Sequence, residues 1–193
     1  MILSNTSIQQ AMAGHRLVID PEPEPRRPES ERACPYQTSA VDLRLGEDVS
    51  WLRPGHAIAM DLRRGGFVQT FRDNSETRKI AEDQPFALEP RRFVLAQTLE
   101  RIELPLLGDR SLAARVEGRS SYARCGLLVH FTAPTIHAGF AGRIALEIMN
   151  LGPYTINLYP RMAICQLVVE EVDGAPFSNQ SQFQGQGRPG GGV

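Results

Sequence analysis

The sequence predicts a mainly β fold, a sandwich or a barrel, and two observations carry that prediction. Short alternating or apolar runs recur along the chain, and Gly or Pro punctuates them at intervals of roughly 8–12 residues. Helical patterning is confined to the N-terminus and to one short stretch near residues 121–125. At 193 residues the chain suits one domain with a substantial core. A change to Ser, Gln, Gly and Pro after Asp173 sets residues 1–173, the expected β domain, apart from a flexible C-terminal segment, 174–193.

Composition excludes several function classes. A formal net charge of −1 argues against a protein that coats nucleic acid. No apolar run approaches the ~20 residues of a membrane span, and MILSNTSIQQ lacks the basic and apolar regions of a secretion signal. The three cysteines, Cys34, Cys125 and Cys165, form neither an even framework nor a CxxC pair. A reduced, cytoplasmic protein is expected.

The elements follow in order. Ser4 or Asn5 caps a short helix through Met12, which Gly14 stops. Leu17-Val18-Ile19 is a short strand, and the Pro, Glu and Arg of residues 21–35 favour a solvated loop. Residues 39–45 alternate polar with apolar as a half-buried strand ending at Gly46. Between residues 50 and 82 the periodicity is poor, with strand-like islands at 57–60 and 67–71 and a polar hairpin tip or loop at 72–79. Residues 86–90 and 93–98 are two strands broken at Pro90-Arg91-Arg92, and Ile102-Glu103-Leu104 leads into the central stretch. Beyond it, residues 154–159 alternate again and residues 160–170 form a turn followed by a strand.

That central stretch, residues 116–150, carries the chemistry. Gly118-Arg119-Ser120-Ser121 offers a guanidinium, two hydroxyls and backbone N–H groups on a tight turn, a cradle suited to phosphate. A second cation, Arg124, follows. The run Arg143-Ile144-Ala145-Leu146-Glu147-Ile148-Met149 is apolar enough for a buried strand yet carries a carboxylate. Burying that carboxylate costs several kcal/mol unless it is paired. Taken singly, such a turn is commonly only a turn, and such a Glu commonly only pairs with an Arg, here Arg124 or Arg143.

Together and in this order, these features resemble the dCTP deaminase branch of the dUTPase-like superfamily. Residues 118–127 match its G-R-S-S-x-A-R-x-G-L, and Val129-His130-Phe131-Thr132-Ala133 matches V-H-x-T-A. Gly139-Phe140-Ala141-Gly142-Arg143-Ile144-Ala145-Leu146-Glu147 matches G-[FWY]-x-G-x-I-x-L-E. Residues 40–46 look like the family's V-D-[LV]-R-L-G strand, and Phe183-Gln184-Gly185-Gln186 looks like the Y-Q-G-Q segment that closes over nucleotide. The resemblance implies a dUTPase-like distorted β-barrel or sandwich, a homotrimer with intersubunit sites, and a triphosphate arriving with Mg2+ held by its phosphates. It assigns proton shuttling to Glu147, and water and charge near C4 of the base to Ser120 and Arg124. Arg119 and Ser121 would bind phosphates, and backbone groups of Ala145, Leu146 and Glu147 would read the base. Gln166 and Gln186 would bind nucleotide further out.

The residues add their own constraints. Deamination of a cytosine adds water at C4 and expels ammonia. Zinc deaminases activate that water with an H-x-E…P-C-x-x-C signature, which this chain lacks, so a general base is expected instead of zinc. Two positions depart from the family: His137 stands where a sugar-contacting Asp is usual, and Gln182 replaces a Lys that meets the triphosphate. The expected activity is conversion of dCTP to dUTP and ammonia, with dTTP a candidate inhibitor. The alternatives are a bifunctional enzyme that also releases pyrophosphate to give dUMP, and a nucleotide-binding regulator without turnover.

Overall fold

The structure is a computed structural model describing residues 1–53, 61, 63 and 67–178. Within them the chain folds as two antiparallel sheets and a small β pair, with three short α-helices. Helix α1 spans Asn5–Ala13; the Ser4 hydroxyl accepts the Ser7 N–H at 3.2 Å, and Gly14 ends it. Ile8 and Ala11 turn its apolar side into the core.

Six strands make the first sheet: β1 (Val18–Asp20), β4 (Asp48–Leu52), β5 (Ser75–Lys79), β7 (Phe93–Glu103), β9 (Leu127–Leu128) and β11 (Ala141–Asn150). Their order is β5-β4-β7-β11-β9, with β1 pairing to β7 as well. The second sheet has the order β10-β8-β13-β3-β2. It is built from β2 (Tyr36–Gln37), β3 (Ala40–Arg44), β8 (Leu112–Gly118), β10 (Thr135–Ile136) and β13 (Ala163–Glu171). Strands β6 (Phe86–Leu88) and β12 (Ile156–Leu158) pair separately. The sheets stay separate among the described residues, so the arrangement is a sandwich and not a closed barrel. Leu43, Leu45, Ile102, Leu104, Leu146, Ile148 and Ile164 are fully shielded between them.

One polar link ties the two sheets, and a second holds two strands of the first sheet together. Glu100 is completely buried, accepting the Arg44 guanidinium at 2.6 Å and the Arg44 backbone N–H at 2.9 Å. A bulge in β11 between Arg143 and Ala145 frees the Ile144 N–H to donate to the Thr98 hydroxyl at 3.0 Å.

Two sequence expectations are corrected. Residues 67–71, expected to be strand-like, lie in helix α2 (Phe67–Asn74), and the expected loop at 72–79 is the end of that helix followed by β5. Local polar contacts stabilise the helix: Gln69 donates to Asp73 at 2.7 Å, and the Asn74 side chain donates to the Thr70 carbonyl at 2.8 Å. Strand β5 is polar because it is an edge, paired only to β4, where charge discourages further pairing. The strand-like island at 57–60 lies outside the described residues, as do Gln182, Gln186 and the segment 183–186. No helix among the described residues is long and apolar enough to cross a membrane.

Candidate active site

Residues 118–128 carry the chain from one sheet to the other. Strand β8 delivers Arg119 from the second sheet; helix α3 (Ser120–Ala123) follows, and β9 then joins the first sheet beside β11. The joint depends on two glycines in contact. Gly126 has φ +87°, and a Cβ built there would sit 2.3 Å from the Gly152 nitrogen. A Cβ on Gly152 would sit 2.2 Å from the Cys125 carbonyl oxygen. Asn150, fully buried, braces the same turn by accepting the Gly152 N–H at 2.9 Å and donating to the Leu88 and Tyr154 carbonyls. The Arg-Ser-Ser turn is therefore fastened to the end of the strand that carries Glu147.

Strand β11 alternates cleanly: Ile144, Leu146 and Ile148 enter the core, while Ala145, Glu147 and Met149 face outward. Glu147 is therefore not the buried carboxylate that its apolar neighbours suggest; its side chain is 32 % exposed. Nor does it pair with Arg124 or Arg143, each of which has no ion-pair partner among the described residues. Its Oε2 accepts the Phe131 N–H at 3.4 Å and stands 3.4 Å from His130 Nδ1. His130 Nε2 lies 2.6 Å from the Ala133 carbonyl, an oxygen that only accepts, so Nε2 carries the hydrogen. Nδ1 is left buried without a hydrogen-bond partner, aimed at the carboxylate.

Along residues 141–148 the other edge of β11 has no partner strand among the described residues, because β9 pairs only with Met149 and Asn150. The backbone groups of Ala145, Leu146 and Glu147 thus belong to a sheet edge open to a hydrogen-bonding ligand on one side. Ser120, Ser121, Arg124 and His137 are exposed.

Arg119 faces a different environment. Its Nη2 lies 3.5 Å from Asp42 Oδ2, and its Nη1 donates to the Ala163 carbonyl at 3.3 Å. Gln166 donates to Asp42 Oδ1 at 2.8 Å, from the neighbouring strand. Asp42, nearly buried, therefore positions two of the expected binding residues. Sequence reasoning missed it as a site residue, although its place in the alternating strand beside Arg44 was visible. His130 was missed as well, since one His in a motif says nothing of its neighbours before the fold is known. Asp42, Arg44 and Arg119 line a cleft of about 200 Å3, which includes neither Glu147, Ser120 nor Arg124. One chain thus presents a guanidinium cleft and, apart from it, an outward carboxylate beside an open strand edge.

Known proteins resemble the chain over nearly its whole length. The dCTP deaminase-like family profile matches residues 2–172. A Methanothermobacter thermautotrophicus protein named "dCTP deaminase, dUMP-forming" is 38% identical, over 97% of this chain and 91% of its own. A Persephonella marina protein of the same name is 36% identical over 96% and 93%. A Rhodospirillum rubrum protein named "dCTP deaminase" is 38% identical over 88% and 82%. Among solved structures, 2'-deoxycytidine 5'-triphosphate deaminase from Agrobacterium tumefaciens superposes with a TM-score of 0.62 at 19% identity. That match covers 89% of this chain and 48% of the other, about half the solved chain's length.

Proposed function

The chain belongs to the dCTP deaminase-like family, and on that premise we propose that it deaminates dCTP and then cleaves the triphosphate, yielding dUMP, pyrophosphate and ammonia. What carries the second half is the name shared by the Methanothermobacter and Persephonella relatives, both "dUMP-forming". This favours the bifunctional alternative over release of dUTP, the main reading of the sequence alone.

In the proposed mechanism the cytosine edge meets the open side of β11, where backbone groups of Ala145, Leu146 and Glu147 hydrogen-bond the base. Glu147 takes a proton from water as the oxygen attacks C4 and passes it to N3, then takes the proton of the new C4 hydroxyl and passes it to the departing amine as the C4 carbonyl forms. The C4–N4 bond breaks, ammonia leaves, and a uracil remains. An outward, half-exposed Glu147 with no Arg partner among the described residues supports this role, because its lone pairs are not committed to a guanidinium. Ser120 and Arg124 hold the water and the charge developing near C4. Arg119 and Ser121 bind the phosphates, Gln166 and Gln186 reach the nucleotide further out, and His137 and Gln182 stand at the sugar and triphosphate positions.

The separation between the guanidinium cleft and the Glu147 face supports a site completed between copies of the chain, as in a homotrimer. The triphosphate arrives with its own Mg2+. Water activation without zinc rests on the sequence, which lacks the zinc deaminase signature. We propose further that residues 174–193 act as a segment closing over the nucleotide.

Product analysis tests the whole reading. Incubation with dCTP and Mg2+ should give dUMP, pyrophosphate and ammonia in equal amounts. Accumulation of dUTP without pyrophosphate would restore the simpler deaminase, and release of no ammonia would overturn both.

A further inference from the structure

Among the described residues, three that are not glycine hold left-handed backbone: His15 at φ 55°, Arg91 at φ 63° and Arg161 at φ 63°. The last two occupy matching Pro-Arg turns, at a position where glycine is at no disadvantage and a Cβ is disfavoured. A long cationic side chain kept at such a position points to a use for the cation. Arg91 is not among the residues lining the cleft, whereas Arg161 lines it beside Arg44, Arg119 and Asp42.

The charges of that cleft are unequally committed. Arg44 is tied to buried Glu100 at 2.6 Å. Arg119 is shared between Asp42 and the Ala163 carbonyl. Arg161 is exposed and has no carboxylate partner among the described residues. Its backbone is nonetheless fixed, since its N–H donates to the Leu45 carbonyl at 2.8 Å and the Leu45 N–H donates to the Met162 carbonyl at 2.9 Å. Arg119 bonds the backbone only two residues further on, at Ala163, so the Arg119 guanidinium and the Arg161 backbone are both held near the start of β13. Glu24 also lines the cleft, so an anion entering it gains by bringing a cation, as a Mg2+-triphosphate does.

We propose that Arg161 is a further phosphate contact, engaging the distal phosphates of the nucleotide whose chain Arg119 holds. The proposal rests on the nucleotide-binding reading above. A planar guanidinium suits this task because it donates two parallel hydrogen bonds to a phosphate.

Calorimetric titration of the full chain with dCTP, dCMP and inorganic tripolyphosphate, each with Mg2+, tests it. The proteins are wild type, Arg161→Gly, Arg161→Lys and Arg91→Gly. Glycine relieves the backbone at both turns, so folding is retained and Arg91→Gly controls for that relief. Arg161→Gly should bind dCTP and tripolyphosphate on the order of tenfold more weakly while binding dCMP unchanged. Lysine should restore part of the loss, and Arg91→Gly should match wild type. Equal affinities for dCTP and tripolyphosphate in wild type and Arg161→Gly would overturn the proposal, as would a loss shared by dCMP or by Arg91→Gly. If only tripolyphosphate binds, and does so through Arg161, the contact stands and the nucleotide reading falls.

Discussion

Glu147 Oε2 and His130 Nδ1 face each other at 3.4 Å, with the far nitrogen of the ring fixed on the Ala133 carbonyl. The distance is long for a charge-assisted hydrogen bond, which usually lies near 2.7–2.9 Å. Nδ1 makes no hydrogen bond to the carboxylate, whose other oxygen has no partner among the described residues.

The joint between helix α3 and the β11 turn should be the least tolerant place in the site. Gly126→Ala places a Cβ on backbone atoms of Gly152 in a left-handed conformation, so strain and overpacking add. A loss of about 3 kcal/mol or more is expected in chemical denaturation. Gly108→Ala, also at positive φ but with open space around it, should lose only about 1 kcal/mol. Equal losses at the two positions would refute close contact as the cause.

The link between the sheets predicts an asymmetry. Arg44→Met leaves the Glu100 carboxylate buried without its cation, a change that typically costs 3–5 kcal/mol. Glu100→Gln leaves instead a guanidinium that is 34% exposed, which water can solvate, and about half that loss is expected. Denaturant midpoints that fall further for Glu100→Gln than for Arg44→Met would contradict the buried-charge account.

Stability should also decline in alkali through Tyr36. Burial pushes its phenol from 10.0 up to about 12. The folded state thus favours the protonated phenol, so the stability it contributes is complete below pH 10 and is lost as pH rises from 10 towards 12. Tyr36→Phe should show a shallower fall in Tm over that window, and an unchanged slope would exclude Tyr36 as the source.

Much of the fold could be read before the structure. Ser4 and Gly14 frame α1, and β13 follows the Pro160 turn, because caps, turn residues and period-2 alternation act locally. Helix α2 was misread because its support comes from side-chain pairs four residues apart within a polar run, which alternation cannot reveal. At the site, the motif residues could be named but not their partners. Asp42 reaches Arg119 and Gln166 across the second sheet, and His130 reaches Glu147 across 16 residues and two strands, relations that tertiary packing alone creates.

The most direct test of the central claim is Glu147→Gln, measured for single-turnover deamination of dCTP and for Tm together. The amide keeps shape and part of the hydrogen bonding but cannot accept the water's proton. General acid–base catalysis is typically worth ~10²–10⁴-fold, and one residue here serves both halves of the reaction. The account predicts a rate loss at the upper end of that range with Tm nearly unchanged, because no Arg depends on Glu147 among the described residues. A protein with lowered Tm and near-normal single-turnover rate would contradict it.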